Sequence, residues 1–393
     1  MDIAIQILLL FIEHSGEIPF SLEIKATVEN GVTSLGVDLT ALDSFLFQPG
    51  FCQRVEYFKV RVHPFSHHGL PASWYGHLNS GSFANLKELH ISHQLGGGAR
   101  RPEHRQKHVS LANIPNLHRL LLHNFFHRCS MPSSVTALQL HGVAIETCVD
   151  LLLECPRISV FQCRSPRVNA PGDIGYPFPE GAIVLENLHF LEWGFNFEDS
   201  DWFNTFYQCV RAPNLTRLRL TGYSDVWQLP PALLEFLSSS AHLRHLTLEN
   251  LRNSETHDIC DIFSRVPQIS DLIVKDRVNG TYSCYREVLQ ALEPSKGMQD
   301  VSSKAPVPSY LPTLRTLTLT HTREDKSNIL GNLQFNILDM VEARAPIEDC
   351  VKLNITLNNF CSDFKWEDYH RVKFEEFSRK NRLEILINPT DVM

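Results

Sequence analysis

Leu215-Thr-Arg-Leu218-Arg-Leu220 and Leu243-Arg-His-Leu246-Thr-Leu248 state one phrase twice: apolar, two variable residues, apolar, one variable residue, apolar. The same phrase occurs as Val55 to Val60, Leu86 to Ile91, Leu117 to Leu122, Val135 to Leu140 and Ile158 to Cys163. It continues as Leu188 to Trp193, Ile269 to Val274 and Leu314 to Leu319. A single copy means little, because apolar residues are common. Ten copies spaced 18 to 31 residues apart, with one last interval of 45, point to a repeat architecture with a period of about 20–29 residues. The last two apolar positions alternate as in a strand, so both point inward while the residue between them points to the opposite face.

The intervening segments read as helices. Ala144 to Cys155 places Ile145, Val149, Leu152 and Leu153 on one helical face, and Pro156 stops it. Pro231 to Leu237 opens on a proline whose missing N–H costs nothing at a helix start. His257 to Val266 is amphipathic and ends before Pro267. Ile114-Pro-Asn, Cys155-Pro-Arg, Ala212-Pro-Asn, Val266-Pro-Gln and Leu311-Pro-Thr introduce strands, because the residue before proline is pushed out of the helical region. No such unit buries its own face, so the units must stack.

The fold class is therefore α/β: an irregular leucine-rich-repeat solenoid, or horseshoe. A parallel strand of each repeat is expected on the concave face and helices on the convex face. The whole of 1–393 is expected to form one array, with capping segments over 1–50 and 350–393. Pro166 to Gly181 and Pro294 to Tyr310 are rich in Pro, Gly and Ser and read as surface loops, the second a flexible insertion over 295–310.

The phrases Phe83 to Ile91, Leu153 to Cys163 and Ala212 to Leu220, with the opening stretch Ile12 to Ile24, resemble the leucine-rich-repeat region of fungal F-box proteins. The resemblance runs from about residue 5 to about residue 390. It implies substrate recognition for a ubiquitin ligase, with ligase components as partners. No F-box is visible ahead of Ile3, so no adaptor-binding residue is carried over.

Composition agrees with a large core: 43% of residues are hydrophobic and 20% charged, which excludes disorder as the dominant state. A net charge of −8 argues against a general nucleic-acid or anionic-membrane binder. The ten cysteines include no CxxC pair. They read as buried or reduced thiols of a cytoplasmic or nuclear protein rather than as zinc ligands. Three Asn-x-Ser/Thr sequons, beginning at Asn214, Asn279 and Asn354, do not argue for secretion. The apolar run Ile3 to Ile12 is too short for a membrane span and reads as a buried helix.

No catalytic set emerges, and the chain is expected not to be an enzyme and to need no cofactor. Gly96 to Arg101 lacks the spacing of a phosphate loop, and the adjoining Arg100, Arg101, Arg105 and Lys107 read as a solvated loop. His104 with His108, His123 with His127, and the adjacent His67 and His68 lack the further ligands a metal site needs. Glu198, Asp199 and Asp201 read as helix-start acids rather than a catalytic dyad. The contact residues expected for a protein partner are the outward positions His90, His123, Gln139, His141, Gln162, Arg164, Glu192, Arg219, Thr247, Glu249 and Lys275. Their side chains are expected to stay out of the core, so replacing Arg219 and Glu249 together with Ala should leave the thermal midpoint nearly unchanged.

Overall fold

The computed structural model describes residues 14–25, 49–62, 72–93, 108–125, 127–166, 183–195, 200–222, 229–251, 256–276, 284–293, 311–321, 329–344, 353–360, 367–380 and 383–389. The chain divides into two compact units, Met1–Tyr176 and Pro177–Met393.

In the first unit, β1 (Phe20–Lys25), β2 (Val55–Val62), β3 (Glu88–His93), β5 (Arg119–His123), β7 (Ala137–His141) and β8 (Val160–Arg164) form a parallel sheet in that order. Helices α1 (Pro49–Cys52), α2 (Ala72–Asn79) and α3 (Ile145–Glu154) lie between strands, with a short parallel pair, β4 (His108–Ser110) and β6 (Arg128–Ser130).

The second unit repeats the plan. Its parallel sheet runs β10 (Phe190–Phe195), β12 (Arg217–Gly222), β13 (His245–Glu249), β14 (Asp271–Asp276), β15 (Thr316–His321), β16 (Leu353–Phe360) and β17 (Leu383–Pro389). Between them come α4 (Ser200–Cys209), α5 (Pro231–Ser239), α6 (Thr256–Arg265), α7 (Tyr285–Leu292), α8 (Ile329–Arg344) and α9 (Asp368–Arg379), each against the next. A second short pair joins β9 (Ile183–Val184) to β11 (Val210–Arg211).

All ten copies of the phrase form strands of these two sheets, and none of their thirty apolar residues is more than 2% exposed. Equivalent residues pair across neighbours: Leu218 with Leu246, Leu246 with Leu272, Leu272 with Leu317. The alternation thus fixes the register, because a one-residue slip would turn the leucines out.

The sequence motif is longer than the phrase. In nine copies the N–H of the first apolar residue donates to the carbonyl three residues earlier, as Leu117 does to Ile114 (3.2 Å) and Leu215 to Ala212 (3.1 Å). The residues supplying that carbonyl, among them Phe83, Ile114, Cys155, Leu185, Ala212 and Val266, are buried, making a fourth inward position. Where proline follows, as Pro115 follows Ile114, it occupies the turn position that its fixed φ favours. The next residue reaches back one repeat: Asn85 Nδ2 donates to Gln53 O (2.7 Å), Asn116 to Ala84 O (2.9 Å) and Asn214 to Glu186 O (2.8 Å). The Pro-Asn step is therefore both a turn and a stitch.

A second stitch closes the other strand ends. Asn124 and Asn250 adopt left-handed φ of 52° and 58° immediately after β5 and β13. Each donates its backbone N–H forward, to His141 O (2.7 Å) and Lys275 O (2.8 Å). Each donates its side-chain amide backward, to His93 O (2.7 Å) and Gly222 O (2.7 Å). A Cβ at Gly222 would lie 2.6 Å from Asn250 O, so this crossing admits only glycine.

The helices match their expected positions closely. In α3 the buried arc is Ile145, Cys148, Val149, Leu151 and Leu152. Leu153, expected on that face, is 47% exposed, because the arc turns toward Leu151 instead. The run Ile3 to Ile12, the Gly96 to Lys107 stretch, most of Pro166 to Gly181 and Pro294 to Tyr310 lie outside the described residues.

Candidate functional site

Strand pairing aligns the outward residues into rows. In the first unit the middle row is Glu23, Lys59, His90, Leu121, Gln139 and Gln162. The row two residues further along contains Arg61, Ser92, His123, His141 and Arg164. In the second unit the corresponding rows bring Glu192, Arg219, Thr247, Ile273, Thr318 and Thr356 into line, and Thr221, Glu249, Lys275 and Thr320 beside them. All eleven residues expected from the sequence stand in these two rows, on the sheet face opposite the leucines.

Two of the eleven are not surface residues. Glu192 is fully buried and Glu249 is 2% exposed. The expectation that they stay out of the core is corrected by their pairing with Arg219. Arg219 Nε donates to Glu249 Oε2 at 2.8 Å, Nη2 approaches the same oxygen, and Glu192 Oε1 stands 3.6 Å from Nε. One guanidinium thus joins β10, β12 and β13, and opposite charge permits carboxylates that would otherwise be costly to bury. Replacing Arg219 and Glu249 by Ala is accordingly expected to lower the midpoint, with the strand register unchanged.

Other charged residues of the sheets form cross-strand pairs nearer solvent. Lys59 Nζ lies 2.9 Å from Glu23, Arg119 Nη1 3.5 Å from Glu88, and His245 Nδ1 3.1 Å from Asp271. Such pairs between adjacent strands contribute modestly each.

Histidines gather on the first unit. His123 Nδ1 and Ser92 Oγ share a hydrogen bond of 3.0 Å, and the His123 ring meets that of His141 edge-on at 4.3 Å. Burial, then the charges of Lys59, Arg61 and His123, hold His90 down to about 4, with Glu23 opposing. Burial, then His127 and His123, hold His93 down to about 4 as well. The pair His123 and His127 does not share a helical face: Asn124 turns the chain between them, and His127 packs against Tyr75 and Phe125. His108 Nε2 instead meets Ser130 Oγ at 2.8 Å. Among the described residues no three His, Cys, Asp or Glu side chains converge to hold a metal ion.

The eight described cysteines are all buried except the half-buried Cys260. Burial pushes Cys52 and Cys155 up to about 12 and raises Cys129, Cys209 and Cys260. A thiol held so far from ionisation is a poor nucleophile or metal ligand. Among the described residues no helix is long and apolar enough to cross a membrane.

No family model matches the chain, and no curated protein matches it. Among solved structures, a chain of the crystal structure of a TLR13–ssRNA13 complex is similar over 80% of this chain and 48% of its own length. Its sequence identity is 10% and its TM-score 0.34. The chain spans about half the length of that neighbour.

Proposed function

We propose that this chain is a non-catalytic interaction module, a leucine-rich-repeat array whose outward sheet residues bind another protein. The observation that carries this reading is the alignment of outward residues into rows that are polar except at Leu121 and Ile273, opposite sealed apolar ones. A repeat array buries its core by stacking and leaves one residue per strand available in each row, which makes an extended contact surface. The resemblance to F-box receptor repeats extends the reading to substrate capture for a ubiquitin ligase, and that resemblance alone supports the extension.

The test is site-specific photocrosslinking in cells. A photoreactive residue replaces Gln139, Gln162 or Thr318 on the outward rows, or Glu235 or Glu375 on helices. Protein adducts concentrated on the outward rows are expected. Adducts confined to the helix positions would overturn the assignment.

A further inference from the structure

We infer that the outward sheet face of β15–β17 in the second unit binds a neutral, extended oligosaccharide through the side chains of Thr316, Thr318, Thr320, Asn354 and Thr356. This goes beyond the protein-binding reading and does not rest on it.

The register sets these residues out as a lattice. Thr316 pairs with Asn354 and Thr318 with Thr356, and Thr320 follows on β15. All five alternate with the buried Leu317, Leu319, Ile355 and Leu357, so their side chains stand on the opposite face, half-buried. None of the five is charged, whereas β12–β14 bring Arg219, Glu249, Asp271 and Lys275 to the same face. Glu384, beside Asn354 on the last strand, is the one charged outward residue of β15–β17 among those described.

The hydrogen-bonding capacity of the lattice is unused. Where threonine and asparagine fasten repeats in this unit they donate to carbonyls: Thr216 to His189 O (3.0 Å), Thr313 to Ile269 O (2.9 Å) and Asn214 to Glu186 O (2.8 Å). On β15 and β16, in contrast, the four outward threonine hydroxyls are engaged by no group of the described residues. Asn354 Oδ1 is shielded from solvent and has no hydrogen-bond partner, an exception to the rule that buried polar atoms are paired. A ligand that brings a donor to this oxygen removes the cost of leaving it unpaired.

The chemistry of the face selects the ligand. A threonine hydroxyl both donates and accepts, and so does an asparagine amide, which matches the hydroxyls of a sugar. No fixed charge among the five favours an ion, because the strong charge-assisted bonds that hold ions need one. The row of Thr318 and Thr356 is closed by apolar residues, Ile273 at one end and Leu386, 52% exposed, at the other. These suit the C–H faces of pyranose rings, whose apolar surface gains by leaving water. From Ile273 to Leu386 is three strand spacings, about 14 Å at about 4.8 Å each, the reach of a short extended oligosaccharide. Extended pyranose chains advance by close to one strand spacing per ring. A peptide laid across the strands is a poorer match, because its residues recur at about 3.3 Å and fall out of step with them.

The experiment is isothermal titration calorimetry of the full chain with cellotetraose, mannotetraose and chitotetraose, each beside its own disaccharide. Tetragalacturonate serves as the anionic probe and oligoglutamine as the uncharged peptide. At least one neutral tetrasaccharide is expected to bind saturably, about tenfold tighter than its disaccharide, which reaches only part of the row. Added salt should change that affinity less than about twofold, because no fixed charge takes part. Thr318→Val with Thr356→Val keeps shape and strand preference and should weaken binding about tenfold or more, two hydrogen bonds being lost. The length and salt arms use the unaltered chain, so they decide the matter even where the variant fails to fold. No saturable binding of any neutral tetrasaccharide, equal binding of tetragalacturonate, tighter binding of oligoglutamine, or undiminished binding by the folded variant overturns the proposal.

Discussion

Asn250 ties three strands with one residue, which makes it the sharpest place to perturb the array. Its side-chain amide donates to Gly222 O at the end of β12 (2.7 Å), and its N–H donates to Lys275 O on β14 (2.8 Å). It does so at φ 58° and 8% exposure. Three substitutions separate the contributions. Asn250→Gly keeps the backbone conformation at no steric cost but removes the buried donor, which costs about 1–3 kcal/mol. Asn250→Ala loses the same bond and adds about 1–2 kcal/mol of left-handed strain, partly offset by a less flexible unfolded chain. Asn250→Asp keeps the shape and the tolerance of that conformation but turns an acceptor toward the Gly222 carbonyl. It is expected to be the worst, about 3 kcal/mol or more, because a carboxylate would be buried against a carbonyl.

Urea unfolding followed by tryptophan fluorescence measures this, since every tryptophan except Trp74 belongs to the unit containing Asn250. The midpoints should fall in the order wild type, Gly, Ala, Asp. An Asp variant within about 0.5 kcal/mol of wild type would refute the assignment of the amide nitrogen to Gly222 O. A Gly variant as bad as Ala would refute the conformational part.

Other outcomes follow from the same geometry. Arg219→Met should destabilise by about 3 kcal/mol, because Glu192 and Glu249 lose their shared cation, and adding Glu192→Gln and Glu249→Gln should restore most of it; urea midpoints check both. Folded His93 resists protonation down to about pH 4, whereas the unfolded chain takes up the proton near its ordinary value of 6.5. Stability from this group is therefore full above about pH 6.5 and lost as pH falls toward 4, and His93→Gln should flatten that slope in midpoints measured across pH. A thiol reagent at neutral pH should label the described cysteines of the folded chain slowly, Cys260 first; rapid labelling of Cys129 would contradict its burial.

What was legible in the sequence was whatever depends on neighbours a few residues apart. Leu215, Leu218 and Leu220 declare their strand because alternation and burial are local, and Pro231 or Pro267 declares a helix end for the same reason. The fourth inward position carries no sequence signal because its identity drifts from Phe83 through Cys155 to Ser240, although all three are buried. Burial there is imposed by the turn that follows, so a small or polar residue serves as long as its carbonyl accepts. Strands β1, β16 and β17 keep the alternation, as in Leu353-Asn-Ile355-Thr-Leu357.

The outward face shows the reverse limit. Glu192 and Glu249 read as solvent-facing because each adjoins inward apolar residues of its own strand. Their fate is decided by Arg219, 27 residues from one and 30 from the other, and made adjacent only by stacking. The same holds for His90, whose proton affinity is set after burial by Lys59 and Arg61 on the next strand. In a repeat protein, then, the strand sequence assigns a face, and the residue one repeat away decides whether a charge on that face is structural or available for binding. By that criterion Glu192, Arg219 and Glu249 belong to the fold of the second unit.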